Sequence, residues 1–297
     1  MDASPLFALA AAASWAVGSL LFGHFGKRVA PGALNFAKCA TATLMLGGTW
    51  AALHLAAGAA APATPPPSAW GFIAASAIAG LTIGDTAYFA AIRELGVGRA
   101  ILLGGTAPLF AAVGGVALFG ERIGAREVAG MTLTTLGVVA VVATNRSGGG
   151  TGRVGRGVAL GLFAALMQAT GTMLSRSAMR DGIDPLLAAT ARVFVASVSL
   201  AAIAAGRGEI RAWSGELARD RMLAKIAGAA FIGTYGGIWL SQLALAGDRS
   251  TGVTTALLAT SPVFALPIER VVLGVPHGLR AFAGAVVAIA GIALLSG

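Results

Sequence analysis

The sequence predicts an all-α membrane protein with ten transmembrane helices in two inverted five-helix repeats. Three observations carry that prediction. Of the 297 residues, 57% are hydrophobic and only 11% are charged, against roughly 25% charged in an ordinary soluble domain. Apolar stretches of about twenty residues recur from end to end, the length that crosses a hydrocarbon core of about 30 Å. And the chain repeats itself at a fixed offset of 154 residues, as LGGTAPLFA from Leu103 and LLATSPVFA from Leu257 illustrate.

The spans run approximately over 3–24, 32–57, 69–91, 98–119, 126–144, 157–175, 185–205, 222–246, 251–273 and 278–296. The first is an Ala-rich run behind MDASPLF. With no positive segment ahead of it, it reads as a retained helix rather than a signal peptide. Pro31 and Gly32 separate the first two spans. APATPPPS, from Ala61 to Ser68, ends the second, because proline lacks a donor and clashes with the preceding turn. NRSGGGTGRVGRG, from Asn145 to Gly157, reads as a flexible basic linker, and Asp184-Pro185 opens the seventh span. The chain therefore divides into a first repeat at 1–145, a linker at 146–156 and a second repeat at 157–297.

Shifted by 154, the halves align without a gap over most of their length. Pro31 falls on Pro185, Lys38 on Arg192, Gly98 on Gly252, Pro108 on Pro262 and Gly137 on Gly291. GERIGAREVAG, from Gly120, shares five of eleven residues with GVPHGLRAFAG, from Gly274. One register held from residue 31 to residue 291 implies internal duplication. Five spans per copy is odd, so the second copy enters the bilayer from the opposite side. Inverted repeats are the architecture of secondary transporters, which hold their solute near the midplane between the repeats.

The formal charge of +9 does not point to nucleic acid. The bases lie between apolar segments, in no run longer than a pair, which suits topology control and contact with anionic lipid headgroups. GTGRVG in the linker formally matches a dinucleotide fingerprint, but a span precedes it where a strand is required. A phosphate-binding G-x-x-x-x-G-K-[ST] loop is missing from the sequence, so it offers no sign of an ATPase. Cys39, the one cysteine, forms no internal disulfide. His24, His54 and His277 share no spacing with carboxylates, so neither a metal site nor a catalytic triad is expected, and no cofactor.

Candidate solute-contacting residues follow from depth. Pro108 lies ten residues into the fourth span, about 15 Å deep at 1.5 Å per residue, and Pro262 reaches the same depth from the other side. Each proline frees a carbonyl one turn upstream, at Gly104 and Leu258, which Thr106, Thr260 and Ser261 can satisfy. Charges inside spans are costly and mark sites by default. Lys38 and Asp85 lie at similar depth on antiparallel neighbours and are expected to pair. In the second copy Lys38 becomes Arg192 and Asp85 becomes Trp239, which suggests a cation–π contact there. Snorkelling to the headgroups is the plainer reading of the two bases. Trp15, Tyr88, Tyr235 and Trp239, with Gln168 and Gln242, would give a cavity a mixed lining. The small-residue pairs Gly157/Gly161 and Gly233/Gly237 suit close helix packing within the chain.

A ten-span chain of this length, its two five-span repeats, the Pro-aromatic step in the fourth span of each and LFGERIG at the following turn together resemble the drug/metabolite transporter superfamily, in its EamA-type branch. The resemblance covers essentially the whole chain. It implies a ten-helix basket around a cavity, and transport of small metabolites such as amino acids, often outward. The expected partners are a small-molecule solute, the lipid bilayer of the cell (inner) membrane and a coupling proton; oligomeric state is not indicated. The family's Gly-Glu is present as Gly120-Glu121, but the second copy has Gly274-Val275. A role needing that carboxylate in both halves is therefore not expected. The leading reading is an exporter working by alternating access. Efflux of lipophilic cations, using Asp85 and Tyr88, is the alternative, and a non-transporting scaffold is the alternative of another class. Orientation stays open. Fourteen bases flank one face and five the other, which puts both termini outside, whereas the resemblance implies termini in the cytoplasm.

Overall fold

Alanine and glycine set how closely the helices approach one another. The computed structural model describes residues 3–56, 65–143, 153–272 and 278–296, and the regular elements among them are all helical. They are α1 (Ser4–Phe25), α2 (Pro31–Ala56), α3 (Pro67–Ser76), α4 (Asp85–Leu95), α5 (Val97–Gly104), α6 (Ala107–Phe119), α7 (Ala125–Ala143), α8 (Val154–Arg180), α9 (Pro185–Gly206), α10 (Ile210–Ala218), α11 (Met222–Ala230), α12 (Gly237–Leu245), α13 (Thr251–Leu258), α14 (Ser261–Val272) and α15 (Leu279–Ser296). A π turn over Ala77–Gly84 joins α3 to α4, and another over Phe231–Gly236 joins α11 to α12. Six helical stretches are long and apolar enough to cross a membrane: Ser4–Phe25, Pro31–Ala56, Pro67–Leu95, Val154–Arg180, Pro185–Gly206 and Ile210–Leu245. The other apolar helices are shorter, partly because α5 and α6 are separated by a break, as are α13 and α14. Most of the linker and the Gly274-Val275 step lie outside the described residues.

Helix starts follow local chemistry. Proline opens α2, α3 and α9, where its missing N–H would lack an intrahelical partner anyway. Asp184 caps α9, its Oδ1 accepting from the amides of Leu186 and Leu187 at 2.9 Å each. The short α10 is an addition to the expected spans. It is held by burial of Trp213 and Leu217 and by the Glu216 carboxylate, which accepts from the Ala30 amide at 2.7 Å.

The interior is built of small side chains, with Ala8, Ala33, Ala42, Ala77, Ala91, Ala169 and Ala188 all fully buried. Many bulky aliphatics face outward as well: Leu55 is 83% exposed and Leu118 70%. A hydrocarbon surround explains this pattern, because lipid tails give leucine no reason to hide while small residues let backbones approach. The glycine pairs read from the sequence pack inside the chain. Gly157 abuts Leu95 and Glu94, Gly161 abuts Leu103, Gly233 abuts Gly18, and Gly237 abuts Trp15.

Contacts recur in exchanged form. The rod made by α3 and α4 packs on α8, and the rod made by α11 and α12 packs on α1; α6 packs on α8, and α14 on α1. Helices α2 and α9 pack on each other, as do α7 and α15. In the last pair Gly137 lies against Gly284 and Ala288, and Gly291 against Gly130 and Thr134. A shift of 154 converts one set into the other. Thr43 and Ser197, themselves 154 apart, meet hydroxyl to hydroxyl at 3.4 Å.

Candidate functional site

The site begins with the π turn over Ala77–Gly84. A π turn leaves backbone groups out of the α ladder, and here the Leu81 carbonyl accepts from the Asn35 Nδ2 of α2 at 2.7 Å. The same nitrogen donates to Thr86 Oγ1 at 2.9 Å. Asn35 is fully buried and fixes α2 against the rod. Sequence reasoning passed over it, although a polar side chain one turn before Lys38 was a visible signal. Gly80 in this turn touches Gly171 of α8, which brings the Asp85 end of the rod against Gln168.

Lys38 Nζ pairs with Asp85 Oδ2. Gln168 Nε2 donates to Asp85 Oδ1 at 2.6 Å, so both carboxylate oxygens are engaged. The Lys38 ammonium also stands 5.4 Å from the centre of the Phe89 ring. Neither base snorkels: Lys38 is 5% exposed and Arg192 6%. Arg192 makes no cation–π contact with Trp239 among the described residues. Trp239 packs instead beside Tyr235, at 6.1 Å between ring centres, in an apolar cluster with Ile238 and Val193.

The repeated Thr-Pro phrase breaks its helix outright rather than bending it. Thr106 Oγ1 donates to the Leu103 carbonyl at 2.6 Å, and Thr260 Oγ1 to the Leu257 carbonyl at 2.7 Å. The satisfied carbonyls are thus one residue earlier than Gly104 and Leu258. The backbone repeats the pattern, with Gly105 N bonded to Ile101 O at 3.0 Å and Ala259 N to Thr255 O at 2.9 Å. A new helix then starts, with Pro108 in the first turn of α6 and Pro262 second in α14.

Between these elements lies a cavity of about 250 Å³. Of the residues singled out in the sequence, Trp15, Lys38, Asp85, Tyr88, Gln168 and Arg192 line it. So do Gly104, Gly105 and Ala107 at the first break, and Leu258, Ala259 and Ser261 at the second. Many lining residues come in pairs 154 apart, among them Lys38 with Arg192, Ile101 with Thr255, Gly18 with Thr172 and Ala107 with Ser261. Among the described residues, neither α7 nor α15 contributes to the lining.

Among the described side chains, the remaining candidates stand outside the cavity lining. Pro108 is buried in the first turn of α6, and Thr106 and Thr260 spend their hydroxyls on the helical turns before them. Gln242 is fully buried and accepts a hydrogen bond from Ser175. Tyr235 reaches Thr49 Oγ1 at 3.0 Å and stacks on Phe231. Pro262 belongs to the backbone of α14, but its side chain lies outside what is described.

A second polar cluster surrounds Glu121, for which the sequence predicted no role needing the carboxylate in both halves, since its mate is Val275. Gly120, at φ +62°, ends α6 in the left-handed conformation and turns Glu121 back against Gly115. The carboxylate accepts from the Thr251 amide at 2.8 Å and hydroxyl at 2.7 Å. It faces Arg176 Nε at 3.4 Å and Arg180 Nη2 at 3.5 Å. One acidic side chain therefore ties the end of α6 to the end of α8 and the start of α13, whose N-terminal dipole favours an anion.

A model of the EamA-like transporter family matches the chain twice, over residues 3–143 and 155–297. Comparison with curated proteins gives no match. Among solved structures, one described as "Crystal structure of protein" superposes with a TM-score of 0.73 at 16% identity, over 98% of this chain and 96% of the other. That likeness shows a shared fold.

Proposed function

As the chain belongs to the EamA-like transporter family, and so is a multi-pass membrane protein, we propose that it is a secondary transporter exporting small polar or amphipathic metabolites, such as amino acids, by alternating access. In this reading the ten spans are α1, α2, α3 with α4, α5 with α6, α7, α8, α9, α11 with α12, α13 with α14, and α15. The two five-span halves are inverted in the cell (inner) membrane, and a proton is the coupling ion. The reciprocal glycine contacts of α7 and α15, and the Thr43–Ser197 contact, support a two-fold relation between the halves.

The observation that carries the proposal is the cavity lined by residue pairs 154 apart. An alternating-access site must be reachable from both faces in turn, and a cavity on the axis between inverted halves meets that need. A scaffold has no use for such a lining. Efflux of lipophilic cations is weakened by the lining charges. Lys38 and Arg192 outnumber Asp85 among the described residues, and both Asp85 oxygens are already engaged. The test is counterflow of labelled amino acids into proteoliposomes holding the purified protein. Uptake at the rate of protein-free liposomes across the amino-acid panel would overturn the substrate reading.

A further inference from the structure

The cavity has an unbalanced charge. Lys38, Asp85 and Arg192 are the charged residues among its described lining. Lys38 and Asp85 neutralise each other, and Gln168 takes the second carboxylate oxygen. Arg192 is left over. Its Nε is buried without a hydrogen-bond partner, and it belongs to none of the ion pairs among the described residues. A guanidinium stays protonated at any working pH. This one lies seven residues into α9, about 10 Å along its axis, with 94% of its surface covered.

A buried cation with no hydrogen-bonded counter-ion of its own is expensive, and proteins retain one where something pairs with it. Arg192 lines the cavity of about 250 Å³, which has room for such a partner. Gly80 packs its bare backbone against the guanidinium: a Cβ there would come to 3.3 Å from both Arg192 Nη2 and Gln168 Oε1. The planar fork of arginine matches an oxyanion bidentately, which a lysine ammonium cannot do. Around it stand Trp15, Phe22, Leu81, Tyr88 and Ile238, an apolar surface suited to a hydrophobic body.

We propose that Arg192 holds the anionic head of the solute, and that the site takes small amphipathic monoanions, carboxylates in the first instance. This rests on the transport reading and narrows its substrate class. Zwitterionic amino acids qualify through their carboxylate; neutral and purely cationic solutes do not.

The test uses the full chain, purified in neutral detergent without anionic lipid, so that a lipid headgroup cannot supply the anion. Thermal shift and calorimetry compare acetate, hexanoate and phenylacetate, each with its own amide, and phenylacetate also with phenethylammonium. At least one carboxylate is expected to bind about tenfold or more tightly than its amide, the gain of a charge-assisted hydrogen bond, and to stabilise the protein with rising concentration. Arg192→Gln abolishes that preference, and Arg192→Lys retains part of it. If no carboxylate outdoes its amide, or phenethylammonium matches phenylacetate, the proposal falls, and that comparison needs no variant. A preference that survives Arg192→Gln also overturns it. Adding phosphatidylglycerol back must leave carboxylate binding in place; loss of binding assigns Arg192 to a lipid phosphate instead. Binding needs no translocation, so a protein that binds phenylacetate through Arg192 yet shows no counterflow refutes the transport reading alone.

Discussion

Replacing Glu121 by glutamine removes one charge from a closed polar cluster and leaves its shape. Glutamine can still accept from Thr251, but the Arg176 and Arg180 guanidinium groups lose their counter-charge. The side chains of Glu121 and Arg176 are 7% and 6% exposed, whereas that of Arg180 is 47% exposed. Breaking a buried pair from one side costs about 3–5 kcal/mol, and an exposed pair contributes less than about 1 kcal/mol. The 3.4 Å approach of Arg176 Nε carries no hydrogen bond, which puts the loss at about 3 kcal/mol, the low end. If the cluster holds the end of α8 against α13 only while that face is closed, this energy is lost from the closed state alone. At about 1.4 kcal/mol per tenfold, the balance shifts about a hundredfold towards opening there. Thr172 lines the cavity one helical turn from Arg176. A cysteine at Thr172, with Cys39 replaced by alanine, reports that opening. Impermeant maleimide is added to right-side-out and inverted vesicles. Glu121→Gln is expected to raise labelling from the face that carries Glu121 by one to two orders of magnitude. Labelling within threefold of the parent in both orientations, together with a lowered melting temperature, would show that the cluster is a fixed strut and would refute this reasoning.

Asp85→Asn strands Lys38 and is expected to impair transport more than it impairs expression; normal counterflow across a pH series would remove Asp85 from both coupling and binding. Gly137→Ala and Gly291→Ala each drive a Cβ into the facing backbone and should destabilise by about 1–3 kcal/mol, read as a lower melting temperature in detergent. Gly228→Ala, which meets nothing within 4 Å, is the control and should be neutral or slightly stabilising. Orientation is decided in intact cells lacking Cys39: the charge count predicts maleimide labelling of a cysteine at Pro65 and none at Gly149, and the opposite pattern places the termini in the cytoplasm.

Much of the site was legible because depth in a membrane helix is arithmetic. Counting 1.5 Å per residue from span ends brought Lys38 to Asp85. Polar type and an assumed interior picked out Gln168, Tyr88 and Trp15. The same arithmetic gave the depth of Tyr235, Trp239 and Gln242 but not their azimuth, and in an Ala- and Gly-rich helix the hydrophobic pattern hardly distinguishes inner from outer faces. Glu121 escaped for another reason. Its partners, Thr251, Arg176 and Arg180, all come from the other repeat, so comparing it with Val275 asked the wrong question: the link runs between the copies and needs one carboxylate, not two. The π turns leave no mark in composition that separates them from α-helix.

Those two π turns also set an angle. A π turn closes its hydrogen bonds one residue later than an α turn, so each acts as a single residue inserted into an α rod. One residue amounts to about 100° of rotation. Everything after the insertion is re-aimed by that amount: Asp85, Tyr88 and Phe89 beyond the first turn, Ile238, Ser241 and Leu245 beyond the second, all of which face the cavity. Wound as unbroken α-helix from Pro67, the rod would carry Asp85 about a quarter-turn or more away from Lys38. The insertions start at Ala77 and Phe231, at matching places in the two copies. The azimuth of the cavity wall is therefore written in backbone winding, and a one-residue deletion there would turn the wall without changing any residue that lines it.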